Sequence, residues 1–261
     1  MKKFGISYNV FDGTEHLEKS VKQVREFVDY ISIVYQIISN TGEQISEENI
    51  NNINKFRDNG LIDDFYIYIP DQKLSTHENE INKRNIGYFL SMNDKCDYHM
   101  TMDCDEYYLK KDFKFLIDYY NENDIDTSYC NMLTFYKENN IIIDPPEEYF
   151  VTLFNKINHG PYILNQKSDY LVDPTRKSFY TKNYKVFSRN EIQMLHLSYV
   201  RNDIKTKLIN SSARINFSIE NINKVINKFH NWTYPEKAFI LGTTIKEYNV
   251  KLFNDLKNEI S

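Results

Sequence analysis

Asp103-Cys104-Asp105 places two carboxylates one residue apart, directly after the strand-like run Tyr98-His99-Met100-Thr101-Met102. Two carboxylates at a strand end can converge on one hard divalent cation and leave its remaining positions to phosphate oxygens. Such a cation acts as a Lewis acid and neutralises the charge of a departing diphosphate. Acidic residues at this spacing also sit on solvated loops, so the tripeptide alone leaves both readings open. It is not an EF-hand, because Tyr108 stands where that loop needs glycine. Further along, His196 lies in the apolar run Met194-Leu195-His196-Leu197 and is followed by the cations Arg201, Lys205 and Lys207. A histidine in such a run is either a core residue or a metal ligand. Between these patches lies Ser168-Asp169-Tyr170-Leu171-Val172-Asp173-Pro174-Thr175-Arg176. Asp173 and Asp169 are carboxylates that could take a proton from an attacking hydroxyl, with Glu147 and Glu148 behind them. Asp173 ranks first because Arg176 is close enough to orient it or to bind a phosphate, although Asp before Pro is equally a turn signal.

The elements that must position these residues alternate. Phe4, Ile6 and Tyr8 read as a strand, and Leu17, Val21, Val24 and Val28 as a helix opened by Asp12-Gly13-Thr14-Glu15. Ile31–Tyr35 is a second strand, followed by a helix opened by Ser46, carrying Ile50, Ile53 and Phe56, and closed by Gly60. Phe65–Ile69 is a third strand, a third helix runs from about Asn79 to Met92, and Tyr98–Met102 is the fourth strand. Four strand–helix alternations predict an α/β fold with a mostly parallel central sheet, whose ligands bind at the carboxyl ends of the strands. Asp103 follows the fourth strand directly. Beyond it come a short helix near Asp112–Tyr120, strands at Thr127–Thr134 and Ile141–Ile143, and a long irregular stretch marked by Pro145, Pro146, Pro161 and Pro174. The tail reads as two helices, Ile215–Phe229 and Pro235–Leu256, with Trp232 between them as the aromatic best placed to stack on a base or sugar.

Composition narrows the partners. A net charge of −5, from 32 Lys+Arg against 37 Asp+Glu, provides no basic field for nucleic acid. Three scattered cysteines without metal-ligand spacing point to a reducing compartment. No apolar run approaches the roughly 20 residues of a membrane span, and the start is too polar for a signal peptide, so a cytoplasmic location is expected. Seven glycines supply no phosphate-cradling loop or dinucleotide fingerprint, and the nucleophile-elbow and zinc-protease motifs are missing.

Taken together, the strand–helix repeat, Asn82-Lys83-Arg84-Asn85-Ile86-Gly87 on the third helix and Met102-Asp103-Cys104-Asp105-Glu106-Tyr107 after the fourth strand resemble the GT-A glycosyltransferases, and most of all their family-2-like members. Lys83 replaces the alanine usual at its position. The resemblance covers about residues 4–107, and more loosely 170–210. It implies a Rossmann-like nucleotide-diphospho-sugar transferase fold, with a catalytic domain over 1–210 (a nucleotide-sugar half 1–107 and an acceptor half 108–210) and a helical extension over 211–261. It implies Mn²⁺ or Mg²⁺ on Asp103 and Asp105, completed by His196. It also implies a nucleoside-diphosphate sugar met by Arg84, Asn85, Asp103, Arg176, Arg201 and Lys207, a glycan or glycoconjugate hydroxyl as acceptor, and inversion at the sugar. A non-catalytic carbohydrate-binding protein on the same fold and a metal-dependent nucleotidyltransferase are the competing functions.

Overall fold

The computed structural model describes residues 1–40, 42, 44, 47–210, 217–241 and 244–253. In chain order the elements are β1 (Phe4–Val10), α1 (Thr14–Val24), β2 (Tyr30–Gln36), α2 (Glu47–Asp58), β3 (Asp64–Tyr68), α3 (Thr76–Asn93), β4 (Tyr98–Asp103) and β5 (Glu106–Tyr107). They continue with α4 (Lys110–Glu122), β6 (Thr127–Tyr136), β7 (Glu138–Asp144), β8 (Phe150–Lys156), β9 (Tyr184–Val186), β10 (Gln193–Tyr199), α5 (Ile204–Asn210), α6 (Ile219–Asn231), β11 (Ala238–Leu241) and β12 (Ile245–Leu252). The contacts divide the chain into two compact units. One comprises Met1–Met132 and Glu148–Met194, the other Leu133–Glu147 and the chain from Leu195 onward. This partition follows contacts rather than chain order, so it differs from the division at 210 and 211 read along the sequence.

The first unit carries the expected α/β architecture. β3, β2, β1 and β4 lie side by side in that order, all parallel, with Asn9 opposite both Val34 and Asp103. β1 and β2 are buried along their whole length, as strands covered on both faces must be, so they read as near-continuous apolar runs. Beyond β4 the sheet turns antiparallel through β8 and the first half of β6, and β9 adds to β6 in parallel. β8 runs through the stretch that the prolines marked as irregular. Phe150-Val151-Thr152-Leu153-Phe154 has the β-branched and aromatic content of a buried strand, and the flanking prolines conceal it from a reading by punctuation.

Helix α3 governs the site. Ser75 and Glu78 form a capping box at its start, three residues before the expected Asn79. Gly87 faces β1 so closely that a Cβ there would lie 2.0 Å from Ser7 Oγ and 2.4 Å from its Cβ, and a Cβ on Gly5 would lie 2.5 Å from Ser91 Oγ. The missing side chains let α3 sit down on the sheet, and Arg84, less than one turn before Gly87, thereby reaches the end of β4.

In the second unit, β7 pairs with the end of β6 on one side and with β12 on the other, and β11 pairs with β12. Helix α6 supplies Ile222, Val225, Ile226 and Phe229 to a core with Tyr136, Ile141, Ile143 and Ile240. Among the described residues the tail is therefore helical only through Asn231. The helix expected over Pro235–Leu256 is instead β11 and β12, and its last residues, like the expected start at Ile215 and the Ser46 cap, lie outside the described residues. Tyr248, Val250 and Leu252 alternate with polar residues at strand spacing, and pairing with β7 decides between strand and helix there. Trp232 is a core residue, 6% exposed, with its indole N–H donating to the Glu236 carbonyl at 2.9 Å and its ring edge-on to Tyr136.

Gly87→Ala is expected to lower stability by about 1–3 kcal/mol, the usual cost of overpacking, and Ser7→Gly in the same chain should recover part of the loss. Thermal melts of the three proteins check it, and an unchanged melt for Gly87→Ala would remove the close helix–sheet approach. A second expectation concerns His99 on β4, fully buried, with Nδ1 2.9 Å from Ser91 Oγ. Burial pushes its imidazole down to about 3 from 6.5. The unfolded chain therefore binds one more proton than the native state between those values, and stability falls as pH drops below 6.5, by at most about 1.4 kcal/mol per pH unit. Urea titrations at pH 7 and pH 5 should show a smaller acid loss for His99→Asn than for the wild-type chain; equal losses would mean that His99 titrates normally.

Candidate active site

The carboxyl end of β4 delivers Asp103 beside the carboxyl end of β1, and a two-residue turn through Cys104 and Asp105 leads straight into β5. The turn is held from both sides. Cys104 Sγ–H donates to the Asp12 carbonyl at 3.1 Å, and the Asp103 N–H donates to Glu106 Oε2 at 3.2 Å. Asp105 is buried in this turn at 2% exposure, and Glu106 is equally buried at the start of β5. Asp103 keeps a third of its side chain exposed.

Two arginines from separate parts of the chain meet at Asp103. Arg84, from α3, donates from Nη1 to Asp103 Oδ1 at 3.3 Å and to Thr101 Oγ1 at 3.1 Å, and from Nε to Thr175 Oγ1 at 3.1 Å. Arg176, from the loop after Asp173, donates from Nη2 to Asp103 Oδ2 and to Glu106 Oε1, each at 2.5 Å, and from Nη1 to Glu106 Oε2 at 3.0 Å. Both arginines are nine-tenths buried or more. Removal from solvent raises the Asp103 carboxyl, but Arg176 and then Arg84 outweigh it and hold the group well below the usual carboxylate range. Burial pushes Glu106 up to about 7, against the opposing pull of Arg176.

Asp173 joins the same network. Its Oδ1 accepts from the Thr175 N–H and hydroxyl, both at 2.7 Å, while Oδ2 lies 3.9 Å from Arg176 Nε. Burial raises its carboxyl, yet Arg84, Arg176 and the Thr175 bonds together leave it lowered. Asp169 occupies a different setting, where it accepts from Tyr180, Lys182 and Tyr184 at 3.0 to 3.4 Å. The bond from Lys182 is the main cause that lowers its carboxyl. Asn85 spends both ends of its amide on the Tyr162 backbone, at 2.8 and 3.1 Å, and so pins the following loop to α3. Lys83, the departure from the usual alanine, is buried and donates to Gln36 Oε1 at 2.6 Å, at the carboxyl end of β2. His196, on β10, and Arg201 and Lys207, in and before α5, belong to the second unit.

The first unit thus brings Arg84, Asp103, Asp105, Asp173 and Arg176 together. Glu106 is the member that reading the sequence passed over; its signal was its place as the third acid of Asp103-Cys104-Asp105-Glu106, immediately before two tyrosines. Around this end of the sheet the acidic side chains Glu80, Asp103, Asp105, Glu106 and Asp173 outnumber the basic Lys83, Arg84 and Arg176, and burial raises the carboxyls of Glu80 and Glu106 and lowers Lys83. The donor set fits a hard divalent cation on three grounds. Its oxygens are carboxylates, the acidic excess favours added positive charge, and Asp103 with three close arginine contacts retains part of the roughly four lone-pair sites of a carboxylate. Among the described residues no group of three or more His, Cys, Asp and Glu side chains surrounds one metal position. The carboxylates of the motif at that edge are Asp103, a third exposed, and Asp105, buried in the turn.

No protein-family profile matches the chain, and no curated sequence relative does either. Among solved structures the chain is similar to Staphylococcus aureus TarS, residues 1–349, at 11% identity and a TM-score of 0.47, covering 88% of this chain and 71% of that one. The same TarS fragment in complex with UDP-GlcNAc gives 10% identity, a TM-score of 0.47 and coverage of 88% and 72%. CMP:2-keto-3-deoxy-manno-octonic acid synthetase with CTP gives 6% identity, a TM-score of 0.33 and coverage of 51% and 53%. At these levels the likenesses assign no residue a role. No helix among the described residues is long and apolar enough to cross a membrane.

Thr175 is fully buried and connects Arg84 to Asp173 through one hydroxyl. Thr175→Val is expected to cost about 1–3 kcal/mol, because it leaves the Arg84 Nε–H and an Asp173 lone pair unsatisfied, whereas Thr175→Ser should cost less than about 1 kcal/mol. Urea denaturation of the three proteins measures it. A valine variant as stable as the serine variant would mean that the hydroxyl carries no bond of consequence.

Proposed function

We propose that this chain is a metal-dependent glycosyltransferase that moves a sugar from a nucleoside-diphosphate sugar to a hydroxyl of a glycan or glycoconjugate. The observation that carries the reading is the placement of Asp103 and Asp105 at the carboxyl end of β4, on the edge where a parallel sheet binds its ligands, with Arg84 over the same end. Asp103 and Asp105 would hold Mn²⁺ or Mg²⁺, which, when bound, supplies Lewis-acid stabilisation of the departing diphosphate. Arg84 would meet the diphosphate, a role supported by its anchoring on Thr101 and Thr175 and its contact with the partly exposed Asp103. Asp173 is the proposed base, because of the two aspartates it alone is hydrogen-bonded into the Arg84 network. Its lowered carboxyl is ionised at neutral pH and ready to accept the acceptor's proton, the role an inverting transfer requires. The metal role of His196 and the phosphate roles of Arg201 and Lys207 rest on the sequence resemblance alone, as does inversion.

The deciding experiment is a panel of nucleotide sugars with Mn²⁺, scored for nucleoside diphosphate, beside a panel of nucleoside triphosphates scored for pyrophosphate. The first product is expected. Pyrophosphate release would assign a nucleotidyltransferase, and metal-dependent binding without either product a carbohydrate-binding protein. Asp105→Asn should reduce diphosphate release at least about 100-fold, the scale of losing a group that organises the reacting centre, while the far-ultraviolet circular dichroism stays that of the wild-type chain. Undiminished release from the variant in the presence of a chelator would dispose of the metal assignment.

A further inference from the structure

Arg176 has the chemistry of a phosphate ligand but not its surroundings. Its side chain is 4% exposed, against 3% for Arg84, so the partners and not the burial set the two arginines apart. Nη1 is directed to Glu106, Nη2 is divided between Glu106 and Asp103, and Nε faces Asp173 at 3.9 Å. Three carboxylates from three places in the chain therefore converge on one guanidinium: the end of β4, the start of β5 and the turn at Asp173. A planar fork can span two carboxylates at once, whereas an ammonium is a single point of charge. Arg84 is arranged differently. It has Thr101 and Thr175 as neutral partners and meets Asp103 at the longer distances of 3.3 and 3.5 Å.

We infer that Arg176 is a positioning residue: it fixes the donor-side carboxylate Asp103 and the acceptor-side carboxylate Asp173 in one geometry through a buried anchor, Glu106, and does not itself bind the diphosphate. The inference rests on the glycosyltransferase reading and assigns Glu106 and Arg176 a task within it. Glu106, at 2% exposure, is the fixed post. Its two oxygens accept from Nη1 and Nη2, while Nη2 also meets Asp103 and Nε lies 3.9 Å from Asp173. The Asp103 N–H closes the loop by donating to Glu106 Oε2. Arg176 thus meets Asp103 and Asp173 with one rigid group, beside the second path that runs from Asp103 through Arg84 and the Thr175 hydroxyl to Asp173.

The test compares wild type, Arg176→Met, Arg176→Lys and the double variant Glu106→Gln with Arg176→Met. Melting temperature is measured for each, together with binding of UDP, GDP, CDP and ADP in Mn²⁺ and kcat and KM for nucleoside diphosphate release from the nucleotide-sugar panel. Arg176→Met alone should melt lower, because it leaves buried Glu106 without its counter-ion. The double variant removes both charges and should regain most of the melting temperature. Its kcat should nevertheless stay about 100-fold or more below wild type, with KM for the donor within about threefold. Arg176→Lys should retain under a tenth of the wild-type kcat. A double variant that recovers kcat along with stability would make Arg176 a structural counter-charge only. A raised KM with kcat intact would make it a phosphate ligand. Either result overturns the inference and leaves the glycosyltransferase reading standing. A wild-type chain that neither binds a nucleoside diphosphate nor releases one overturns that reading, and the inference with it.

Discussion

Carboxylates crowded at the end of one strand repel each other, and the arrangement of the first unit follows from how that repulsion is met. Two unit charges 4 Å apart interact by about 4 kcal/mol at the effective dielectric of a protein surface, and by more where water is excluded. Asp103, Asp105 and Glu106 occupy four consecutive positions with Cys104, and Asp173 is brought in from a distant loop. Such a cluster holds together only with buried cations among its members. Arg84 and Arg176 are those cations, and each demands its own support. Arg84 needs α3 close to the sheet, which in turn needs Gly87 against Ser7. Arg176 needs the loop after Val172 folded inward, and the loop is secured by the Thr175 bonds, by Lys177 accepting at its backbone from the Ile163 N–H and by Ser178 on Asn155.

Much of this was legible in the sequence, for identifiable reasons. The four parallel strands are long apolar runs, and their helices carry apolar residues at turn spacing, so the first hundred residues follow from periodicity. The position of Asp103 at a strand end followed from the same reading. Gly87 and Arg84 were visible as a motif on the third helix, although the physical reason for the glycine, a clash with Ser7, needs coordinates. The pairing of Arg176 with Glu106 had no sequence signature, because 70 residues separate the partners and neither sits in a periodic pattern. The sequence could place Arg176 near Asp173 and no further. Strands β8, β11 and β12 were missed where tertiary pairing overrides local signals: prolines obscured the first, and a mixture of lysine, glutamate and asparagine made the last resemble a helix. Trp232 illustrates the converse, since polar neighbours along the chain gave no warning that its ring faces Tyr136.

The two aspartates proposed for proton transfer show how partners, rather than residue type, separate roles. Both are depressed carboxylates, and they stand four residues apart in the chain. Asp169 is held by two tyrosine hydroxyls and a lysine, groups that would have to be given up before it could serve an incoming hydroxyl. Asp173 commits one oxygen to the Thr175 backbone and hydroxyl, and its other oxygen faces the guanidinium of Arg176 at a distance longer than a hydrogen bond. That second oxygen has the lone pairs still available to a proton. A base this depressed accepts a proton only where the hydroxyl becomes acidic as it attacks, so its contribution rests on position more than on intrinsic basicity. Position is what the buried arginine supplies: Nη2 is bonded to Asp103 and Nε lies 3.9 Å from Asp173, so one guanidinium meets both carboxylates. A chain with few glycines and no phosphate-cradling loop has assembled this centre from side chains, and its geometry therefore depends on the buried ion pair that joins Glu106 to Arg176.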